Sequence, residues 1–179
     1  AIPVLIEAVK VSPDEPYFLV NLVNIYQQSG KEAEANKLLD DRLAANPQDA
    51  TALLVKGSIL EDKDLKSALG WYYKAAKADP SNTNAFIYLG AGLYNAAAKL
   101  YENSEVTQAT TKMANDLLKA ALPALEIAYK SRPDNIKGIL GSIYYQMDMK
   151  DKREALDAGT LEVGNPTLPD LTDLLQNLD

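Results

Sequence analysis

The sequence has 179 residues, 47% hydrophobic and 24% charged, with a formal net charge of −7, so it has room for a sizeable core or a short repeat array and is not a disordered chain. It contains no Cys and no His, which excludes disulfides, thiolate zinc sites, thiol nucleophiles, imidazole bases and His-ligated metals. Six acids and no base lie from Glu154 onward, while residues 1–153 hold all 18 bases and the other 19 acids; neither the near-neutral body nor the acidic tail has the basic stripe that nucleic acid requires.

Taken in chain order, residues 1–12 place Ala1, Leu5 and Ala8 four and three apart, one stripe of a helix, and Pro13 follows the helix end. The same phrase returns later: Ala1–Glu15 and Ala121–Asn135 agree at seven of fifteen positions without a gap. No first helix precedes residues 1–12, so they read as the second half of a helix pair, with an apolar face open at the N-terminal edge. The next pair spans 16–29 and 31–45. Its first helix carries the stripe Leu19, Leu22, Val23, Tyr26, and its second carries Ala35 and Leu39 ahead of Pro47, with Arg42 where the other units hold alanine.

A pair at 50–61 and 65–78 follows, with Leu53, Gly57 and Leu60, then Ala68, Tyr72 and Ala75 ahead of Pro80. The pair at 84–102 and 105–131 has Phe86, Leu89, Gly90 and Leu93, then Ala121, Leu125 and Ala128 ahead of Pro133. It is 19 residues longer than its neighbours, read as extensions of both helices with the turn at Glu102-Asn103-Ser104. Pro123 is expected to kink its second helix. Gly57 and Gly90 are expected at close helix crossings.

A fourth pair falls near 135–147 and 150–158, where Leu140-Gly141-x2-Tyr144 comes two residues early after Pro133. Beyond Gly159, Gly164 and Asn165-Pro166, Thr167 with Asp170 forms a candidate capping pair. Leu168, Leu171, Leu174, Leu175 and Leu178 make one apolar stripe. The segment 159–179 therefore reads as an acidic amphipathic helix that caps the last repeat or docks elsewhere.

The recurring prolines are 34, 33 and 53 residues apart. With Leu22-Val23-x2-Tyr26, Gly30, Ala35 and Pro47, then Gly57, Ala68, Tyr72, Ala75 and Pro80, then Leu89-Gly90, Ala121, Leu125, Ala128 and Pro133, the pattern resembles the tetratricopeptide repeat, a 34-residue helix–turn–helix. The first Trp of that signature is absent from every unit, and Lys56 stands in place of a Leu. The resemblance implies an all-α, right-handed α-solenoid of antiparallel helix pairs with nine or ten helices. Its parts are a half-repeat at 1–13, repeats near 16–47 and 50–80, an extended one at 83–133, a degenerate one at 134–158 and the tail at 159–179. The extended unit resembles that of a subset of bacterial repeat proteins.

Such solenoids bind along a concave face lined by the first helix of each unit. Helical spacing assigns to it Tyr17, Val20, Asn21, Asn24 and Gln28, then Thr51, Leu54 and Ser58 with Glu61 and Asp62, then Asn84, Ile87, Tyr88, Ala91, Tyr94 and Asn95, and in the fourth unit Ile139, Ser142, Tyr145 and Gln146. Amides can pair with an extended peptide backbone, and tyrosines offer contact area at low entropic cost. Asn21 and Asn24 stand one turn apart. A family variant clamps a partner's C-terminal carboxylate with Lys, Asn and Arg. Here Asn24 has Val20, Val55 and Tyr88 near it instead of cations, so that mode is not expected.

With Glu61 and Asp62 the only groove charges, a neutral or basic peptide or protein partner is favoured. The acidic clusters at Asp40-Asp41 and Glu61-Asp62-Lys63-Asp64 read as solvated turns, and no phosphate loop or calcium loop is present. The reading is a non-catalytic interaction scaffold with no cofactor, metal, nucleic acid or membrane span. One alternative is an oligomerisation module that uses the N-terminal edge and long helices; another is a small-ligand or glycan binder on the tyrosine-rich face. The start at Ala1 suggests a processed or excised piece of a soluble protein, with cytoplasmic and exported locations both open.

Overall fold

A computed structural model describes residues 2–12, 16–103 and 105–178. The columns at Ala1 and Pro13 and the turn position Ser104 lie outside the described residues. Among those described are ten helices and no strand: α1 (Ile2–Val11), α2 (Pro16–Gln28), α3 (Glu32–Ala45), α4 (Ala50–Leu60), α5 (Leu65–Ala78), α6 (Thr83–Asn103), α7 (Gln108–Tyr129), α8 (Pro133–Gln146), α9 (Lys150–Ala158) and α10 (Thr172–Gln176). Each of α1 to α8 packs on its successor, and α2 also meets α4 while α6 meets α8. This is the architecture of a right-handed α-solenoid of antiparallel pairs.

The repeated columns are the seam of that solenoid. Ala35, Leu39, Ala68, Tyr72, Ala75, Ala121, Leu125 and Ala128 are all buried. Small residues let the paired backbones approach, and the glycines mark where they come closest. A Cβ at Gly57 would stand 2.5 Å from Tyr72 Cε1, and one at Gly90 would stand 2.5 Å from Leu125 Cγ. In α1 the same columns behave differently: Leu5 and Ala8 are only half-buried, and Val4 and Val11 are more than 70% exposed.

Local chemistry sets the helix starts. Asp49 accepts from the Ala52 amide at the head of α4, and Asp64 from the Ser67 amide at the head of α5. Thr107 and Thr110 form a reciprocal capping box on α7. The 19 extra residues lengthen α6 and α7, and α7 runs helical through Pro123.

The tail departs from the sequence expectation. Residues 160–171 are non-helical, and the helix is confined to Thr172–Gln176. Pro169 contributes to this, because a proline pushes the residue before it, Leu168, out of the α region, so no helix runs through the whole leucine stripe. The Thr167–Asp170 capping pair therefore caps no helix; instead Asp170 accepts from the Thr172 amide and hydroxyl at 2.9 and 2.7 Å. Nor does the tail stop at the last repeat. It runs back between α7 and α5: Lys130 Nζ donates to Asn165 Oδ1 at 3.2 Å, and Lys66 Nζ donates to the Gln176 carbonyl at 2.9 Å. Leu171, Leu175 and Leu178 are buried in the main core, and Leu168 and Leu174 pack against it.

Candidate binding groove

The predicted lining stands on α2, α4, α6 and α8, and every one of those residues reaches solvent at least in part. The helical period explains it. On α2, Leu19, Leu22 and Val23 are buried while Tyr17, Val20 and Asn24 turn outward; on α6, Ala85, Phe86, Leu89 and Leu93 are buried while Asn84, Tyr88 and Asn95 turn outward. Leu54, Ile87, Tyr94 and Ile139 form a half-buried floor packed on the core.

The side chains of this face differ in how free they are. Asn21 Nδ2 donates to the Tyr17 carbonyl at 2.7 Å, so the Asn21 amide is tied to its own helix, while its neighbour Asn24 is exposed. Ser58 Oγ likewise donates to the Val55 carbonyl at 2.8 Å. Asn84 Oδ1 accepts from Arg132 Nη1 at 2.8 Å.

Arg132 precedes α8, and sequence spacing gave no reason to place it against α6. Glu61 and Asp62 are therefore not the only charges near the lining, and the face carries a cation at its α6–α8 end. Arg153 also lies over the exposed ring of Tyr145, 4.8 Å from its centroid.

Tyr72 joins the two halves of the face. Its ring fills the space left by Gly57 on α4 and lies against Tyr88 on α6, with ring centroids 5.4 Å apart. Its hydroxyl donates to Glu61 Oε2 at 2.9 Å. Burial, and then the Glu61 carboxylate, push the Tyr72 phenol well above its ordinary range. It is a fixed donor, not an acid–base group. Tyr144 repeats the device on α8. It donates to the buried Glu126 at 2.8 Å, and Lys152 donates to the same oxygen at 2.7 Å. The repeat column accounts for the Tyr72 ring but not for its hydroxyl; the acid that follows α4 is the sequence signal for that polar end.

Among the described residues no three His, Cys, Asp or Glu side chains gather to hold a metal, and no helix is long and apolar enough to cross a membrane.

Residues 20–83 match the tetratricopeptide repeat family. Human protein O-mannosyl-transferase TMTC3 is 29% identical over 105 residues, which is 58% of this chain and 11% of that protein. Among solved structures, a monomeric mutant of IFIT1 with Gppp-AAAA aligns with a TM-score of 0.66 at 19% identity, over 88% of this chain and 36% of that one. The human IFIT1 dimer with m7Gppp-AAAA aligns with a TM-score of 0.64 at 20% identity, over 87% and 35%. These likenesses are of fold, and the chain spans a minor part of each protein it matches.

Proposed function

We propose that this chain, whose residues 20–83 match the tetratricopeptide repeat family, a family that generally mediates protein–protein contacts, is a non-catalytic scaffold holding a peptide or partner helix against α2, α4 and α6. The observation that carries this reading is the composition of the outward face. Asn24, Gln28 and Asn95 are exposed amides, Tyr17 and Tyr88 are exposed aromatics, and half-buried Leu54 and Ile87 lie beneath. Rigid aromatics with adaptable amides over an apolar floor suit a polypeptide ligand. The face is acidic at Glu61 and Asp62 and basic at Arg132, so a bound segment would run with its basic part toward α4. The transferase activity in the name of the human relative is not carried over from a match to 11% of its length.

The test is capture from source lysate by the wild-type chain, by Asn24→Arg/Tyr88→Ala, and by Glu34→Ala on the exposed side of α3 as an off-face control, all three checked by circular dichroism. A partner held by wild type and control but lost by the double variant, with at least tenfold weaker binding when purified, supports the groove. Equal capture by all three overturns it.

A second reading is favoured by one observation. At the N-terminal edge, Val4, Val11 and Phe18 line a cavity of about 610 Å³, an apolar surface suited to stacking against another helix pair or a second copy. Light scattering of wild type and Val4→Glu/Val11→Glu checks this: a dimer that dissociates in the variant supports self-association, and a wild-type monomer rejects it.

A further inference from the structure

We infer that a second binding site lies on the second-helix side, in a lysine-lined pocket around Trp71, and that it takes an acidic peptide segment with apolar anchors. Trp71 is the single tryptophan of the chain, and it belongs to α5, outside the groove proposed above. It faces a cavity of about 850 Å³ opening between the end of α3, α5 and α10. Leu43, Leu53 and Leu175 supply the apolar wall, Lys66, Lys74 and Lys77 the polar rim, and among the described residues no carboxylate lines the cavity.

The charge is unusual for this molecule. In a chain of net charge −7, α5 carries three lysines and no acid. Lys74 Nζ lies 4.4 Å from the centroid of the Trp71 ring, and Lys56 Nζ lies 4.8 Å from it. Lys56 is ion-paired with Asp40, and Lys66 donates to Gln176. Lys74 has the indole face but, among the described residues, no ion pair. An arriving carboxylate would find an ammonium held beside an aromatic ring and a non-polar wall, where a charge pair is screened less than in open water.

Two observations point to a peptide over a small anion. Lys66 and Lys77 are eleven residues apart on one helix, about 16 Å at a rise of about 1.5 Å per residue, which is longer than one phosphate or carboxylate group spans. The chain's own tail also shows the mode at the next position along the same surface. The Gln176 carbonyl accepts from Lys66, and Leu171 and Leu175 are buried. An acidic, leucine-bearing segment thus already lies along α5. The Trp71 pocket beside it offers the same pairing of lysine and apolar wall to a second such segment.

The test uses the full chain with a fluorescein-labelled peptide of Leu and Glu at helical spacing, its Leu/Lys counterpart, and sodium decanoate. Anisotropy is expected to saturate with the Leu/Glu peptide only, with Trp71 emission shifting over the same concentrations. Lys74→Glu should weaken that binding by on the order of tenfold, Lys74→Arg should retain it, and Asn24→Arg should leave it unchanged. The proposal is overturned by no saturable anisotropy, by equal binding of the Leu/Lys peptide, by unchanged affinity in Lys74→Glu, or by decanoate alone acting on Trp71. Binding lost in Asn24→Arg and kept in Lys74→Glu would move the peptide to the groove instead.

Discussion

The Tyr72 hydroxyl donates to the Glu61 carboxylate at 2.9 Å, binding the middle of α5 to the residue that ends α4. The ring itself is fully buried against Gly57 and Tyr88. Tyr72→Phe keeps the ring and removes the donor, leaving Glu61 without it. The expected loss is about 1–2 kcal/mol, or several degrees in Tm for a domain of this size. Thermal melting followed by circular dichroism checks it, and an unchanged Tm would mean that water replaces the hydroxyl without cost.

The close crossings predict opposite signs for two identical substitutions. Gly57→Ala drives a methyl to within 2.5 Å of the Tyr72 ring, whereas a methyl at Gly138 meets nothing within 4 Å. Gly57→Ala should destabilise by about 1–3 kcal/mol through overpacking. Gly138→Ala, inside α8, should stabilise by up to about 1 kcal/mol by removing backbone freedom from the unfolded chain. Urea titration of both variants at one pH decides the matter.

Leu171 is 1% exposed although no helix surrounds it on its N-terminal side. Leu171→Ala should cost about 2–4 kcal/mol and free the tail. Limited proteolysis would then cut near Gly164 in the variant well before wild type. Equal cutting rates would show that the rest of the strap suffices to hold it.

How much of this was legible in the sequence differs by scale. Ala68, Tyr72, Ala75 and their counterparts recur in phase, so the helix pairs and the buried seam follow from periodicity alone. The resemblance to the tetratricopeptide repeat led to the same solenoid. The tail shows the limit. Its leucines were recognisable as an apolar stripe, but a stripe does not say which distant surface it meets. Pro169 also outweighed the helical spacing of Leu168 and Leu171. In the groove, spacing gave the outward residues, but the tie of Asn21 to Tyr17 and the reach of Arg132 to Asn84 depend on side-chain conformation and on how adjacent units sit. No one-dimensional pattern carries that.

Three aspartates are expected to contribute to the acid sensitivity of the fold. Hydrogen bonds from the Ser67, Ser81 and Thr172 side chains, and then from the same residues' amides, hold Asp64, Asp79 and Asp170 below the ordinary carboxylate value of 3.8. A carboxyl whose folded-state pKa is depressed contributes stability above its unfolded value and loses it as pH falls through the folded one. The Tm should therefore hold down to roughly pH 5 and fall below roughly pH 4. Asp64→Asn and Asp79→Asn should each flatten part of that fall; a slope unchanged by both would place the acid sensitivity in other carboxylates.

The returning tail also changes how this molecule comes apart. A repeat array whose units touch only their neighbours unravels from either end, one unit at a time. Here Lys66 and Gln176 are in contact across 110 positions of chain, so releasing the last helix pairs requires first lifting a clasp fastened near the centre. The segment from α5 to α10 is thereby bound into one cooperative block, while α1 to α3, resting on the smaller separate core of Leu19, Val23, Ala35 and Leu39, are left to open first. Hydrogen exchange would read this as a single shared opening rate behind α5 and a graded, faster one before it.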